Sequence, residues 1–219
     1  EALTINSIGS STNKIGQAVW GGATLNISGS ANLNLQDALP TTVQTVDATG
    51  YTGKLTVSVG NSDDKTNVGG VDIIDQTIVG GDGDDTITTA GDAAVEMSVS
   101  GGAGNDTITI QALPTVANAL GTLVADVIDG GDGTDTLAMD NTLAVTFNLA
   151  QSVNKATTSN FETLSVSDAI AGVVTPAFIQ DGLSDVSLGT GSNGGTIAYP
   201  AGANTLKMAG ISVGALTAT

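Results

Sequence analysis

The 219-residue sequence contains no cysteine, no histidine and no arginine. Without cysteine there is no disulfide, no thiol nucleophile and no thiolate zinc site, and without histidine there is no imidazole acid–base chemistry. The absence of cysteine does not by itself fix the compartment. Aromatic residues are only 3% of the chain, with a single Trp, Trp20. A core of this length cannot lean on large rings, and the abundant Ala, Val, Thr and Ile suit thin, repetitive β-layers instead. Positive charge is also scarce. Five lysines (Lys14, Lys54, Lys65, Lys155, Lys207) stand against 22 acids, for a net charge of −17. That balance excludes a basic nucleic-acid surface. No apolar run of about 18 residues and no signal peptide appear. The chain opens abruptly at Glu1 and reads as a piece of a longer protein.

What the chain does have is aspartate and glycine, and they occur together. Nineteen of the acids are Asp, and fourteen of these lie between Asp63 and Asp140. Three nine-residue words dominate that stretch: Gly80-Gly81-Asp82-Gly83-Asp84-Asp85-Thr86-Ile87-Thr88, Gly101-Gly102-Ala103-Gly104-Asn105-Asp106-Thr107-Ile108-Thr109 and Gly130-Gly131-Asp132-Gly133-Thr134-Asp135-Thr136-Leu137-Ala138. All three fit Gly-Gly-x-Gly-x-Asp-x-U-x, where U is a large apolar residue. An apolar residue (Ile78, Val99, Ile128) stands two positions before each word. Glycine lets such a loop turn tightly and aim its carbonyls at one point. A hard cation such as Ca²⁺ takes ~6–8 oxygens from carboxylates and carbonyls. The sixth-position aspartates Asp85, Asp106 and Asp135 supply charge. Two residues on, Ile87, Ile108 and Leu137 point inward from a short strand, because strand side chains alternate. The bland alternative is a set of polar turns and a solvated acidic face. Acids crowded beside glycines favour a cation.

Residues 1–60 read as short strands: Leu3-Thr4-Ile5, Ala23–Ile27, Ala31–Leu35, Thr45–Ala48 and Lys54–Val59, each alternating apolar with polar. Loops begin near Asn61, Gly80, Gly101 and Gly130, separated by 19, 21 and 29 residues, against roughly 18 for two nonapeptides in one turn of a roll. The spacing predicts coils in which Asn61–Lys65, Gly80–Asp85, Gly101–Asp106 and Gly130–Asp135 stack on one side. Stacked loops would lie about 4.8 Å apart, so that one cation could bridge neighbours. Gln111–Thr122 reads as an excursion on the other side. Residues 142–219 return to strands and turns: Leu143–Leu149, Glu162–Ser167, Asp185–Leu188, Thr196–Tyr199 and Thr205–Met208, with Thr175–Leu183 either a short helix or a loop. Residues 1–60, 61–141 and 142–219 are thus rungs, a Gly/Asp core and further rungs, in one continuous domain. A single coil cannot bury its apolar face alone, so stacking and metal binding should be linked.

The three words resemble the repeats-in-toxin (RTX) class of secreted bacterial proteins. The wider texture, from TLNISGSANLNL through GGDGDDTITT and GGAGNDTITI to SNFETLSVS, is similar to the calcium-dependent surface-layer (S-layer) proteins of Gram-negative bacteria. The resemblance implies an all-β, right-handed parallel β-roll or β-helix solenoid with Ca²⁺ in its Gly/Asp-rich loops. It also implies type I secretion, folding outside the cell, and self-assembly into a two-dimensional cell-surface lattice, held to lipopolysaccharide by a region outside this chain. Carried over by position, the metal ligands are Asp85, Asp106 and Asp135, helped by the glycine words that open at Gly80, Gly101 and Gly130. Asp82, Asp84, Asn105 and Asp132 are additional candidates. Asp63, Asp64, Asp92 and Asp140 read equally as ligands or as solvated turn residues. The words are separated by irregular inserts, unlike tandem nonapeptide arrays.

Other chemistry fits less well. A glycosidase needs two carboxylates ~5–9.5 Å apart across a sugar, and adjacent acids in glycine loops suit metal better. Serine and threonine have no histidine base, and acidic loops repel phosphate. Trp20, Tyr51 and Tyr199 are isolated and read as packing rather than as a sugar platform. The expectation is a structural protein, not an enzyme. An adhesin segment, or the calcium-folding and secretion region of an exported enzyme, remain the alternatives.

Overall fold

A computed structural model describes residues 1–16, 20–60, 74–93, 95–114, 125–150, 157–183, 185–189, 195–198, 205–208 and 217–218. The chain winds as a parallel solenoid. Strands β1 (Ala2–Ser7), β2 (Asn13–Ile15), β3 (Thr24–Gly29), β4 (Leu33–Leu35), β5 (Thr45–Asp47) and β6 (Leu55–Ser58) form the first three coils. β7 (Gln76–Val79), β8 (Thr86–Thr88), β9 (Met97–Ala103), β10 (Thr107–Thr109), β11 (Val127–Asp132) and β12 (Thr136–Met139) carry the glycine words. The rest comprises α1 (Asn141–Ala150), β13 (Thr158–Ser159), β14 (Thr163–Val166), β15 (Val173–Val174), α2 (Pro176–Ile179), β16 (Asp185–Leu188), β17 (Thr196–Ile197), β18 (Thr205–Met208) and β19 (Thr217–Ala218).

Odd-numbered strands from β1 to β13 form a seven-stranded sheet, and even-numbered strands from β2 to β18 form a nine-stranded one. Neighbouring strands pair in parallel, so each coil lies directly on the last. Pairing crosses both boundaries of the glycine-rich stretch: β5 pairs with β7 and β6 with β8, then β11 with β13 and β12 with β14. The rungs and the Gly/Asp core are therefore one continuous stack.

The register puts like on like. Ile78, Val99 and Ile128 stack in the first sheet, and Ile87, Ile108, Leu137 and Leu164 in the second. All seven are buried, facing each other across a narrow aliphatic core. The inward positions expected from alternation are thus the ones that pack. Tyr51 joins this core fully buried, and Trp20 packs against its margin. Tyr199 lies outside the described residues.

Two expectations are corrected. Leu143–Leu149 alternates like a strand but lies within helix α1. Asp140 caps it, accepting the Leu143 N–H at 2.8 Å, while its own carbonyl accepts the Ala144 N–H. Ala144 and Phe147, three residues apart, form the buried stripe. A helix and a strand can both use apolar residues at these positions; the N-cap decides for helix. Second, the turn stacked beneath Gly80–Asp85 is Ala48–Lys54, between β5 and β6. The loop expected there, Asn61–Lys65, belongs instead to the β6–β7 connection and lies outside the described residues. Where Thr175–Leu183 left two options, α2 occupies part of it. The first sheet ends at β13, and β15, β17 and β19 form a third, separate sheet.

Tight stacking leaves no space at certain glycines. Gly102 has φ +107°, and a Cβ there would overlap the Gly81 carbonyl oxygen of the coil below, whereas nothing lies within 4 Å of the same position at Gly16. We expect Gly102→Ala to lower the urea midpoint sharply and Gly16→Ala to leave the unfolding free energy within about 0.5 kcal/mol of the parent. Ile108→Ala should cost about 2–5 kcal/mol. Equal effects of the two glycine substitutions would contradict this stacking.

Candidate cation-binding loops

The three words form the connections β7–β8, β9–β10 and β11–β12, and the sheet registers place them one above another. Their sixth positions point into the turn. Asp85, Asp106 and Asp135 are 1%, 1% and 0% exposed, an unusual fate for an aspartate. The reason is a chain of bonds from rung to rung. The Leu55 N–H donates to Asp85 Oδ1, the Asp85 N–H to Asp106 Oδ1, the Asp106 N–H to Asp135 Oδ1 and the Asp135 N–H to Glu162 Oε2, each at 2.7 Å. Each carboxylate thus caps a peptide N–H one coil below.

A second ladder runs the other way at the fifth position. The Asn105 N–H donates to Asp84 Oδ1 at 2.7 Å, and the Thr134 N–H donates to Asn105 Oδ1 at 3.0 Å. Asp84 and Asn105 are exposed and already engaged with backbone; Asp82 and Asp132, at the third position, are exposed on the outer rim. Gly80, Gly101 and Gly130 sit inside, where a Cβ would meet Asp85 Oδ2, Asp106 Oδ2 and the Asp135 side chain respectively, so only glycine fits.

The other candidates are not brought here. Asp92 and Asp140 are exposed on the opposite side of the coil, in the β8–β9 and β12–β13 connections, and Asp140 caps α1. Asp63 and Asp64 lie outside the described residues.

Two features escaped the sequence reading. Glu162 is the fourth member of the inner ladder. The signal was present: Glu162-Thr163-Leu164 repeats Asp135-Thr136-Leu137 in register. Asp75, Glu96 and Asp126 are buried at the opposite corner of successive coils, where the Met97 N–H donates to Asp126 Oδ1 at 2.6 Å and the Glu96 N–H reaches Asp75 Oδ2 at 3.4 Å. Their offsets from the apolar flanks vary, and no fixed word marks them.

The inner ladder is electrostatically loaded. Burial pushes the Asp106 carboxyl up to about 7, reinforced by the charges of Asp85, Asp135 and Asp84 and opposed by the Asp85 N–H. Burial likewise raises Asp85, against the Leu55 and Gly81 N–H groups and Lys54. It raises Asp135 as well, helped by Glu162, Asp129 and Asp132. Asp106 Oδ2 and Asp135 Oδ2 are buried and accept no hydrogen bond. Buried acceptors without donors are rare and costly. A proton or a cation would satisfy them, and their hard oxygen chemistry fits Ca²⁺. Among the described residues no three acidic side chains converge closely enough to hold a metal. A cation here would therefore draw most of its oxygens from loop carbonyls, as the expected glycine words require.

No family model, no curated protein and no solved structure matches the chain. No helix among the described residues is long and apolar enough to cross a membrane.

The raised carboxyls set a pH dependence for the cation-free protein. An aspartate with a folded pKa above its unfolded value holds its proton more tightly when folded, so its contribution is fully present below the unfolded value and lost as pH rises through the folded one. In EDTA, the urea midpoint should fall between about pH 4, the ordinary aspartate value, and about pH 7. Asp106→Asn, which keeps the acceptor for the Asp85 N–H, should flatten much of that slope. A midpoint that instead rises across this window would contradict the ladder's electrostatics.

Proposed function

We propose that the chain is a calcium-dependent structural segment of an extracellular S-layer protein, which copies build into a cell-surface lattice. The observation that carries the calcium part is the pair of buried, undonated oxygens Asp106 Oδ2 and Asp135 Oδ2 inside stacked glycine loops. Bound there, Ca²⁺ would neutralise carboxylates held about one strand spacing apart, near 4.8 Å, and would stabilise the stack in proportion to its free concentration. The millimolar calcium outside cells suits such a site better than the cytosol, in keeping with a secreted protein that folds after export.

Self-association needs a route past a net charge of −17. The outer face of the nine-stranded sheet offers one. Half-buried Thr56, Thr86, Thr107 and Thr136 stand in register across it, with buried Thr163 next in the row. Beside them run Ser58, Thr88, Thr109, Ala138 and Ser165, so this stretch carries no formal charge. Copies of the chain can approach through it without the repulsion that the acidic loops impose. An ion pair on the same face, Lys207 with Asp185 at 3.6 Å, lies towards the other end. The low aromatic content and the absence of thiol and imidazole groups favour a scaffold over a catalyst.

Circular dichroism in EDTA and after added CaCl₂ tests the folding part: the β signal and the urea midpoint should rise with calcium. Asp106→Ala and Asp135→Ala should remove most of that rise. A strand signal and midpoint unchanged by chelation would remove the calcium reading. Electron microscopy of the full-length protein tests the lattice part, with ordered sheets expected in calcium and lost in EDTA. Calcium-stabilised but permanently monomeric protein would favour the adhesin or secretion-region alternatives.

A further inference from the structure

The three words differ in conformation where their sequences agree. In the second and third, Gly102, Gly104, Gly131 and Gly133 take φ of +107°, +116°, +106° and +146°. β9 and β11 run on into these loops in register, Gly102 on Gly131 and Ala103 on Asp132. In the first word neither Gly81 nor Gly83 has positive φ, and β7 stops at Val79. Gly81 is required by contact alone: as at Gly102, a Cβ there would overlap a carbonyl oxygen of the coil below, here that of Tyr51.

The difference decides what each aspartate has left to offer. In the first word the Gly81 N–H turns inward and donates to Asp85 Oδ2 at 2.7 Å, while the Leu55 N–H donates to Oδ1 at 2.7 Å. Both oxygens of Asp85 are therefore committed, and the Lys54 ammonium acts on the same carboxylate. Beneath it, the Tyr51 ring is fully buried in the turn and its hydroxyl donates to the Ala31 carbonyl. Asp106 and Asp135 each take one N–H on Oδ1 and none on Oδ2.

We propose that the first word is a capping loop beneath the other two glycine words, and that the second and third words hold divalent cation through Asp106 and Asp135 without Asp85. This rests on the calcium reading above and divides labour within it. Charge-assisted bonds from peptide N–H groups to a carboxylate are among the stronger hydrogen bonds in a protein. For Asp85 to become a ligand, an oxygen that already accepts an N–H must share its electrons with the cation; the open oxygens of Asp106 and Asp135 have no such competitor. Asp85 is thus a positioning residue: it satisfies the Leu55 and Gly81 N–H groups and sets the height at which the next loop begins.

Isothermal titration of the whole chain with CaCl₂, with circular dichroism on each variant, tests this. Asp106→Asn and Asp135→Asn should each weaken calcium binding by about tenfold or more, and Asp85→Asn should leave it within about twofold. Asp85→Asn loses one of the two acceptors and with it part of the loop's stability, so Lys54→Met, an exposed change, gives an independent reading. If Asp85 is no ligand, removing Lys54 leaves calcium affinity within about twofold; if Asp85 shares a cation, losing the competing ammonium raises affinity by about tenfold. A loss of calcium in Asp85→Asn equal to that in Asp106→Asn, or a gain in Lys54→Met, overturns the assignment while the calcium reading stands. No calcium uptake by the unaltered chain overturns both.

Discussion

The bond from a peptide N–H to the carboxylate one coil above is the interaction on which this structure depends. Strand residues find partners in the sheets, but the sixth residue of each loop has none of its own kind. The inner acids supply them: Asp85 serves Leu55, Asp106 serves Asp85, Asp135 serves Asp106 and Glu162 serves Asp135. The fifth positions solve the same problem in the opposite direction through Asp84 and Asn105. Loops that would otherwise carry unsatisfied donors into a packed stack are thereby locked coil to coil, and the height of each rung is fixed.

That solution brings its own difficulty. Parallel stacking sets the acids about one strand spacing apart, and burial strips them of water. The Asp106 carboxyl responds by holding its proton to about pH 7, and two oxygens remain without donors. A stack built this way is sensitive to pH. Calcium dependence, as proposed here, is the counterpart of the geometry that makes the roll so regular.

Towards the end of the chain the regularity gives way. The first sheet stops at β13, α1 packs beside α2 and β15, and the third sheet takes over while the nine-stranded sheet continues to β18. Glu162, the last member of the inner ladder, sits at this change. Its longer side chain still reaches the Asp135 N–H, and Gln180 in the next turn uses both halves of its amide on the Phe161 backbone at 2.8 and 3.1 Å. The stack thus passes from acid-capped to amide-capped turns where the nine-residue glycine words end.

The nine-residue words were enough to determine much of this: a parallel roll, inward Ile87, Ile108 and Leu137, and the turn-facing Asp85, Asp106 and Asp135. Their period encodes one coil each and their apolar positions obey strand alternation, both local properties. Register was not local. Which turn underlies Gly80–Asp85, whether Leu143–Leu149 pairs as a strand or coils behind the Asp140 cap, and that Asp75, Glu96 and Asp126 share a buried corner all depend on contacts between coils. The same holds for the words themselves. Gly81 and Gly102 occupy equivalent places in the repeat, but Gly81 faces the Tyr51 turn and Gly102 faces another glycine word. The neighbouring coil, which no nine-residue pattern contains, decides which aspartate is spent on backbone and which is left open.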